Sequence, residues 1–122
     1  MNKEQFRKAI DQTEGCVGLL VFSYDGYATD EFWKHDANHV AEYFYAVSKF
    51  APAVRLAVDK GNNRGSAQVS MMTIETDSAI FLSKPIDSEL FLVMIMSPEG
   101  NLGKARYELN EVALEFSTAA LV

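Results

Sequence analysis

The sequence predicts an α+β fold, in which one antiparallel sheet of five strands is sandwiched by helices. Three observations predict it. Helix-like and strand-like hydrophobic patterns follow one another in the order α-β-β-α-β-β-β-α. The first and fifth strand segments are apolar at nearly every position, as central strands covered on both faces are, whereas the other strand segments are more one-sided. An Asp-Gly pair between the first two strand segments indicates a hairpin, which makes neighbouring strands antiparallel.

Composition and charge exclude several classes of protein. The chain has 122 residues, of which 48% are hydrophobic and 23% charged, as is typical of one globular domain spanning residues 1–122. A net charge of −6 argues against nucleic-acid binding. No apolar run approaches the roughly 20 residues of a membrane helix, so no membrane insertion is expected. A single cysteine and a first segment without signal-peptide character indicate a cytoplasmic protein.

The first elements are a short helix, a buried strand and a hairpin. Residues at helical spacing near the start predict an amphipathic helix, whose apolar positions are Phe6, Ala9 and Ile10. Residues 16–24 are nearly all apolar and predict a strand that is buried on both faces. Asp25 and Gly26 then predict a type I′ turn, which needs positive φ at both central positions, before a second strand over about residues 27–32.

A long helix occupies the middle of the chain. Asp36 is expected to cap it, with the helix beginning near Ala37. One face of this helix is apolar and comprises Val40, Phe44, Val47, Ala51, Val54 and Val58. Pro52 interrupts the pattern and predicts a kink or a restart, because proline removes one helical hydrogen bond and crowds the preceding turn. The segment Lys60-Gly61-Asn62-Asn63 is expected to end the helix.

Three strands and a helix complete the pattern. Residues 66–75, 79–83 and 90–96 predict strands that are separated by polar turns. The last of these is apolar on both faces. A final helix is expected after a short loop at residues 97–100, and its apolar stripe comprises Leu102, Ala105, Arg106, Leu109, Val112, Ala113 and Phe116.

The residues that could carry chemistry do not assemble a site. His35 and His39 have a spacing that suits two metal ligands on one helix face, but the expected cap at Asp36 would leave His35 outside the helix. Cys16 could serve as a nucleophile, yet its apolar neighbours favour a buried core thiol. The glycine-rich segment at residues 61–65 lacks phosphate-loop spacing and is interpreted as a turn. We therefore expect no enzyme activity, no catalytic residues, no metal site and no cofactor.

The outer face of the long helix is a candidate for protein binding. It carries less charge than an ordinary solvent face and pairs small residues with an aromatic one. The predicted partner-binding residues are Glu42, Tyr45, Ala46, Lys49 and Ala53. An ordinary, mildly apolar surface remains the alternative interpretation, as does an error of phase caused by Pro52.

Three motifs in this order resemble the Roadblock/LC7 family. They are the hairpin Gly18-Leu-Leu-Val-Phe-Ser-Tyr-Asp-Gly-Tyr27, the apolar strand from Leu90 to Met96, and the continuation Ser97-Pro-Glu-Gly-Asn-Leu-Gly-Lys-Ala-Arg-Tyr-Glu-Leu109, in which Asn-Leu-Gly opens the last helix. The resemblance covers nearly the whole chain. It implies a strand order of 2-1-5-4-3 in a single Roadblock/LC7-like domain.

The resemblance also implies partners. Members of this family are small dimeric scaffolds without catalytic residues, joined through the third strand into a continuous sheet. A homodimer interface is therefore expected at Val69, Ser70, Met71, Met72 and Thr73. The implied function is binding and regulation of a Ras-like small GTPase, as an activator or co-regulator. A structural adaptor in a motor, motility or polarity complex is the alternative, and a small-molecule sensor is a third interpretation.

Overall fold

The computed structural model of the chain describes residues 3–64 and 69–120. Its helices are α1 (Lys3–Gln12), α2 (Val40–Arg64) and α3 (Leu102–Ala120). Its strands are β1 (Cys16–Ser23), β2 (Ala28–Trp33), β3 (Met72–Glu75), β4 (Ile80–Pro85) and β5 (Leu90–Met96). This element order is the one predicted from the hydrophobic patterns. None of the helices described is long and apolar enough to cross a bilayer.

All the strands belong to one antiparallel sheet, whose order is β2-β1-β5-β4-β3. The predicted fold class and strand order are confirmed. The central pair is β1 and β5, with Leu19 opposite Met94 and Leu20 opposite Val93. Both strands are covered on both faces, which is why they are apolar at almost every position.

Helices cover the two faces of the sheet unequally. Helices α1 and α3 pack on one face, where Ile10, Leu19, Met94 and Leu109 belong to one buried cluster. Among the described elements, helix α2 covers the other face, with Val47, Ala51 and Val54 fully buried against the sheet. The predicted stripe of α3 is buried at Ala105, Leu109, Val112 and Ala113, but Arg106 is exposed and does not belong to it. Glu108 is buried instead, and it pairs with Lys104 at 3.0 Å.

The β1–β2 turn differs from the predicted type I′ turn. The loop is closed by Ser23, whose amide donates to the Tyr27 carbonyl at 2.8 Å and whose carbonyl accepts from the Gly26 amide at 3.0 Å. Gly26 has a φ of +103°, whereas Asp25 does not have a positive φ. The Asp25 amide also donates to Ser23 Oγ at 3.0 Å. The hydrogen bonds of the loop therefore begin at Ser23, one residue before the Tyr24 at which a type I′ turn centred on Asp25 and Gly26 would begin. The predicted hairpin is confirmed, but its turn is longer than a type I′ turn and ends in a glycine with left-handed backbone conformation.

Helix α2 begins later than predicted and continues further. The Ala37 amide donates to the Lys34 carbonyl at 3.0 Å, so Asp36 lies in a separate turn and does not cap the helix. His39 precedes the first helical residue with a φ of 61°, and its carbonyl accepts from the Tyr43 amide at 3.0 Å. The helix passes through Pro52 without a restart. Pro52 is exposed, so water can reach the carbonyl that loses its partner.

Two segments near the middle of the chain also differ from the prediction. Residues 61–64 are the last residues of α2 and are not a turn. Strand β3 has 4 residues, Met72–Glu75, and is much shorter than the predicted 66–75. Positions 65–68 lie outside the described residues, and positions 69–71 have no strand pairing to β4. The prediction was too long because an apolar, uncharged sequence is compatible with a strand even where no neighbouring strand is present to pair with it.

Two glycines join the start of β1 to the loop before α3. Gly15 has a φ of +86°, and a Cβ at this position would overlap Gly100 Cα. The surrounding backbone is tied by the Ser97 amide, which donates to the Gly15 carbonyl at 2.8 Å, and by the Asn101 amide, which donates to the Glu14 carbonyl at 3.0 Å. Asn101 then caps α3, because its Oδ1 accepts from the Lys104 amide at 3.0 Å.

Candidate interaction surfaces

The outer face of α2 points away from the sheet. Because Val47, Ala51 and Val54 are buried on one side of the helix, residues about half a turn away must face solvent. Tyr45 is 64% exposed and Leu56 is 56% exposed, so this face presents two large side chains to solvent.

The structure places the five predicted partner-binding residues unequally. Glu42, Tyr45, Lys49 and Ala53 are exposed on this outer face. Ala46 is half-buried and packs against the cluster beneath α2, so it lies at the margin of the face. We use "α2 outer face" below for Glu42, Tyr45, Lys49, Ala53 and Leu56.

Tyr45 and Lys49 form the organised part of this surface. The Lys49 ammonium Nζ lies 5.1 Å from the centroid of the Tyr45 ring, as expected for residues one helical turn apart. At the start of the helix, His39 Nδ1 lies 3.5 Å from Glu42 Oε2. An exposed tyrosine that is held by a neighbouring cation is already ordered, which reduces the entropy lost when a partner covers it.

The second candidate surface is the β3 edge of the sheet. Strand β3 pairs only with β4 and lies at the end of the strand order, so its other side has no partner within the described residues. Of the predicted dimer residues, Met72 and Thr73 belong to β3, whereas Val69, Ser70 and Met71 precede it. Met71 packs against the cluster under α1 and α3, and Met72 packs against the cluster under α2.

Backbone groups of β3 alternate between β4 and the open edge. The Thr76 amide donates to the Ala79 carbonyl at 2.9 Å, so Thr76 faces β4. Because alternate residues of an antiparallel strand face the same way, Ile74 and Met72 also face β4, and Thr73 and Glu75 present their backbone groups outward. The open edge therefore offers the donors and acceptors of Thr73 and Glu75 to another strand.

The side chains that could act as metal ligands or catalytic groups lie apart in the structure. His39 is held beside Glu42, and His35 lies in the exposed turn before it. Over the described ranges 3–64 and 69–120, no group of three or more potential ligands is placed to hold a metal ion. Asp30 and Glu31 are adjacent in β2, and Glu31 Oε1 accepts a hydrogen bond from Trp33 Nε1 at 3.0 Å.

Cys16 is a core residue at the start of β1. It is 1% exposed, and its Sγ donates to the Gly18 carbonyl at 3.6 Å. Burial raises the pKa of the Cys16 thiol from 9.0 to about 12, against the smaller opposing effects of the backbone hydrogen bond at Gly18 and of the Lys34 ammonium. A thiol with so high a pKa stays protonated near neutral pH, which is unfavourable for a nucleophile.

This burial predicts a loss of stability in alkali. A raised folded-state pKa stabilises the fold below pH 9, and that contribution is lost progressively between pH 9 and about 12. We expect the free energy of unfolding in denaturant titrations to fall by about 1 kcal/mol more in the wild type than in Cys16→Ala between pH 8 and pH 10. An equal decrease in both proteins would contradict this assignment. In the native protein at pH 8, an aromatic disulfide reagent should leave the thiol unmodified.

Comparison with known proteins identifies the fold. The sequence matches no family model and no curated protein sequence. Among solved structures, MglC from Myxococcus xanthus is 20% identical, with 96% of this chain and 97% of that chain covered and a TM-score of 0.73. A Roadblock/LC7 domain from Streptomyces avermitilis is 12% identical, with 99% and 98% covered and a TM-score of 0.77. The gliding protein MglB from Thermus thermophilus is 12% identical, with 95% and 85% covered and a TM-score of 0.78.

These similarities establish the fold of the chain. The chain has the Roadblock/LC7 fold over nearly its whole length, and the resemblance inferred from its three motifs is confirmed at the level of the fold. Within that fold, the similar structures include MglB and MglC proteins, at identities that establish shared architecture alone.

Proposed function

We propose that the protein is a non-catalytic dimeric scaffold that binds and regulates a Ras-like small GTPase. The observation that carries the proposal is the α2 outer face, where an exposed Tyr45–Lys49 pair lies on a Roadblock/LC7 fold. In this proposal the GTPase supplies its own phosphate-binding loop and magnesium ion, and the scaffold affects turnover by the surface it presents.

A dimer is part of the proposal. The open β3 edge supports pairing with a second copy, because the same strand can pair with itself about a two-fold axis and the interface then closes. One similar structure, an MglB with a tetrameric arrangement, is itself oligomeric. Joined in this way, two copies would form one continuous sheet with both α2 helices on the same side.

Substitution of the Tyr45–Lys49 pair tests the partner surface. Tyr45→Ala combined with Lys49→Glu removes the aromatic anchor and reverses the charge beside it. We expect the double variant to lose most of the GTPase recovered by the wild type in a pull-down analysed by mass spectrometry. With the recovered GTPase, we expect its GTP hydrolysis rate to change in the presence of wild-type protein and to return to the intrinsic rate with the variant.

The chain offers a matched control on α3. Lys104 Nζ lies 5.2 Å from the centroid of the Tyr107 ring, and Tyr107 is 56% exposed, so this pair closely resembles the one on α2. Tyr107→Ala combined with Arg106→Glu should keep the GTPase; Lys104 is left in place because it pairs with the buried Glu108, whereas Arg106 is exposed. Equal loss with both double variants would mean that an exposed tyrosine with a neighbouring cation binds without specificity, and unchanged recovery with the α2 variant would contradict the proposed surface.

A structural adaptor in a motility complex is the second candidate. It is favoured by the similarity to a protein described as a gliding protein. An adaptor would use the same α2 outer face to hold its partner, so the pull-down alone does not separate the two functions. A recovered GTPase whose hydrolysis and nucleotide exchange are both unchanged by the wild-type protein would favour the adaptor.

A further inference from the structure

A cavity of about 330 Å³ opens between α2, the β4–β5 turn and the end of β1. Its apolar wall is formed by Val58, Val69, Pro85 and Ile86. Its polar groups come from Tyr24, Arg55, Asp59, Asp87 and Ser88. This volume falls at the lower end of the range found for small-molecule sites, which also combine apolar walls with a few polar groups.

Tyr24 is a buried polar residue without a partner at this cavity. It is only 5% exposed, and its hydroxyl makes no hydrogen bond within the part of the chain that the structure describes. The ring is fixed by stacking on Phe91, with centroids 5.0 Å apart. Burial and the carboxylates of Asp87 and Asp59 raise the pKa of Tyr24 to about 12, so the hydroxyl is neutral and can still accept a hydrogen bond. A buried hydroxyl left unpaired is costly, and such a group calls for a ligand or a specific reason.

The charges around the cavity favour a cation. Asp59 and Asp87 line it, Asp25 lies beside it, and Arg55 is the one cation at the cavity among the side chains that the structure describes. Arg55 stays 3.8 Å from the carboxylates of both Asp25 and Asp59, which is beyond hydrogen-bond distance. The resulting surplus of carboxylate disfavours phosphate and carboxylate ligands.

The carboxylates also have unused acceptor positions. Asp87 Oδ1 accepts from the Glu89 amide at 2.7 Å and from the Leu90 amide at 2.8 Å, which fixes the side chain and leaves Oδ2 without a described donor. The Asp59 carboxylate adds further acceptors. Tyr24 Oη has less than 1 Å² of exposed surface, so it accepts from a ligand only when the cavity wall shifts to admit it. A protonated primary amine carries three donors and needs such a set of acceptors.

We infer that this cavity binds a small organic cation, with a protonated primary amine placed among Tyr24, Asp59 and Asp87 and an alkyl chain against Val58 and Ile86. A lysine side chain of a partner protein carries the same chemistry. The free amine is the source assigned here, because the cavity has an apolar wall as well as the acceptors and so accommodates the whole of a small ligand. The inference does not depend on the proposed function.

Titration with 1,4-diaminobutane, followed by amide chemical shifts, tests the site. We expect saturable shifts at residues 24, 55–59 and 85–88, with a Kd of about 1 mM or below. The neutral analogue 1,4-butanediol should give no saturable shifts. Equal binding of the diol would overturn recognition of the charge, and absence of binding by the diamine would overturn the site. Binding of an acetylated Gly-Lys-Gly amide without binding of the diamine would overturn the free-amine assignment.

Two variants and two matched controls locate the binding. Asp59→Asn should weaken the diamine about tenfold, and Tyr24→Phe about fivefold. Because the Tyr24 hydroxyl has no partner in the unliganded protein, Tyr24→Phe should not lower the thermal midpoint. The exposed residues Tyr27 and Asp77 provide the controls Tyr27→Phe and Asp77→Asn, which should bind the diamine as the wild type does. Unchanged affinity in both pocket variants would overturn the assignment.

Discussion

Alanine at Gly15 is expected to destabilise the protein by about 3 kcal/mol or more. Two costs add at this position. A left-handed φ costs a residue with a Cβ roughly 1–2 kcal/mol, and the φ of Gly15 is +86°. The new methyl group would also overlap the backbone of Gly100, which cannot move away freely because Asn101 beside it is bonded to Glu14 and caps α3.

Chemical denaturation and thermal unfolding measure this effect. A change of about 3 kcal/mol should lower the thermal midpoint by roughly 10 °C. Gly103→Ala is the matched control, because Gly103 lies in α3 and the nearest neighbour of an added Cβ is Asn101 Oδ1 at 3.6 Å. This control should be neutral or slightly stabilising. Gly100 is unsuitable as a control, since its own Cβ would approach Met96 Cε to 2.7 Å. Equal stability of Gly15→Ala and Gly103→Ala would contradict the glycine contact.

Proline at Thr73 is expected to convert the proposed dimer into a monomer. Thr73 presents its backbone amide to the open edge of the sheet, whereas the neighbouring Ile74 bonds to β4. Proline at Thr73 therefore removes a donor that a second copy would use and leaves the β3–β4 hydrogen bonds in place. Ser70 precedes β3 and is a less direct site for the same substitution.

Light scattering coupled to size exclusion gives the result directly. The wild type should have about twice the 13.6 kDa of one chain, and Thr73→Pro should have the mass of one chain. Thr73→Val retains the amide and is the control that should stay dimeric. Circular dichroism should give the same helix and strand content for all three proteins. A monomeric wild type at micromolar concentration would contradict the homodimer, and a dimeric Thr73→Pro would contradict the β3 interface.

The strands were predictable where burial alone determines the sequence. The predicted bounds of strand β5 agree with the observed ones. A strand covered on both faces is apolar at every position, so the apolar run in the sequence coincides with the strand. The same argument identified β1 and its central position. The apolar faces of α1 and α2 were also predictable, since their spacing follows the helical period.

Features that depend on specific hydrogen bonds were not predictable. The capping preference of Asp36 predicts a helix start near Ala37, but the turn closed by Lys34 and Ala37 occupies that segment instead. The hairpin turn depends on the Ser23 hydroxyl, for which the Asp-Gly signal gives no information. The cavity beside Tyr24 has no signal in the sequence, because Tyr24, Arg55 and Asp87 are separated along the chain and only the fold brings them together.

The central strand pair has a consequence for how the chain folds. Strands β1 and β5 are partners in the sheet, but residues 24–89 lie between them, so their pairing closes a loop of more than half of the chain. The β1–β2 hairpin and the β3–β4–β5 meander can each form locally, and their docking is then the slow event. During synthesis, β1 would leave the ribosome long before β5 does. Its apolar side chains would remain uncovered in that interval, which makes β1 the segment for a chaperone to bind.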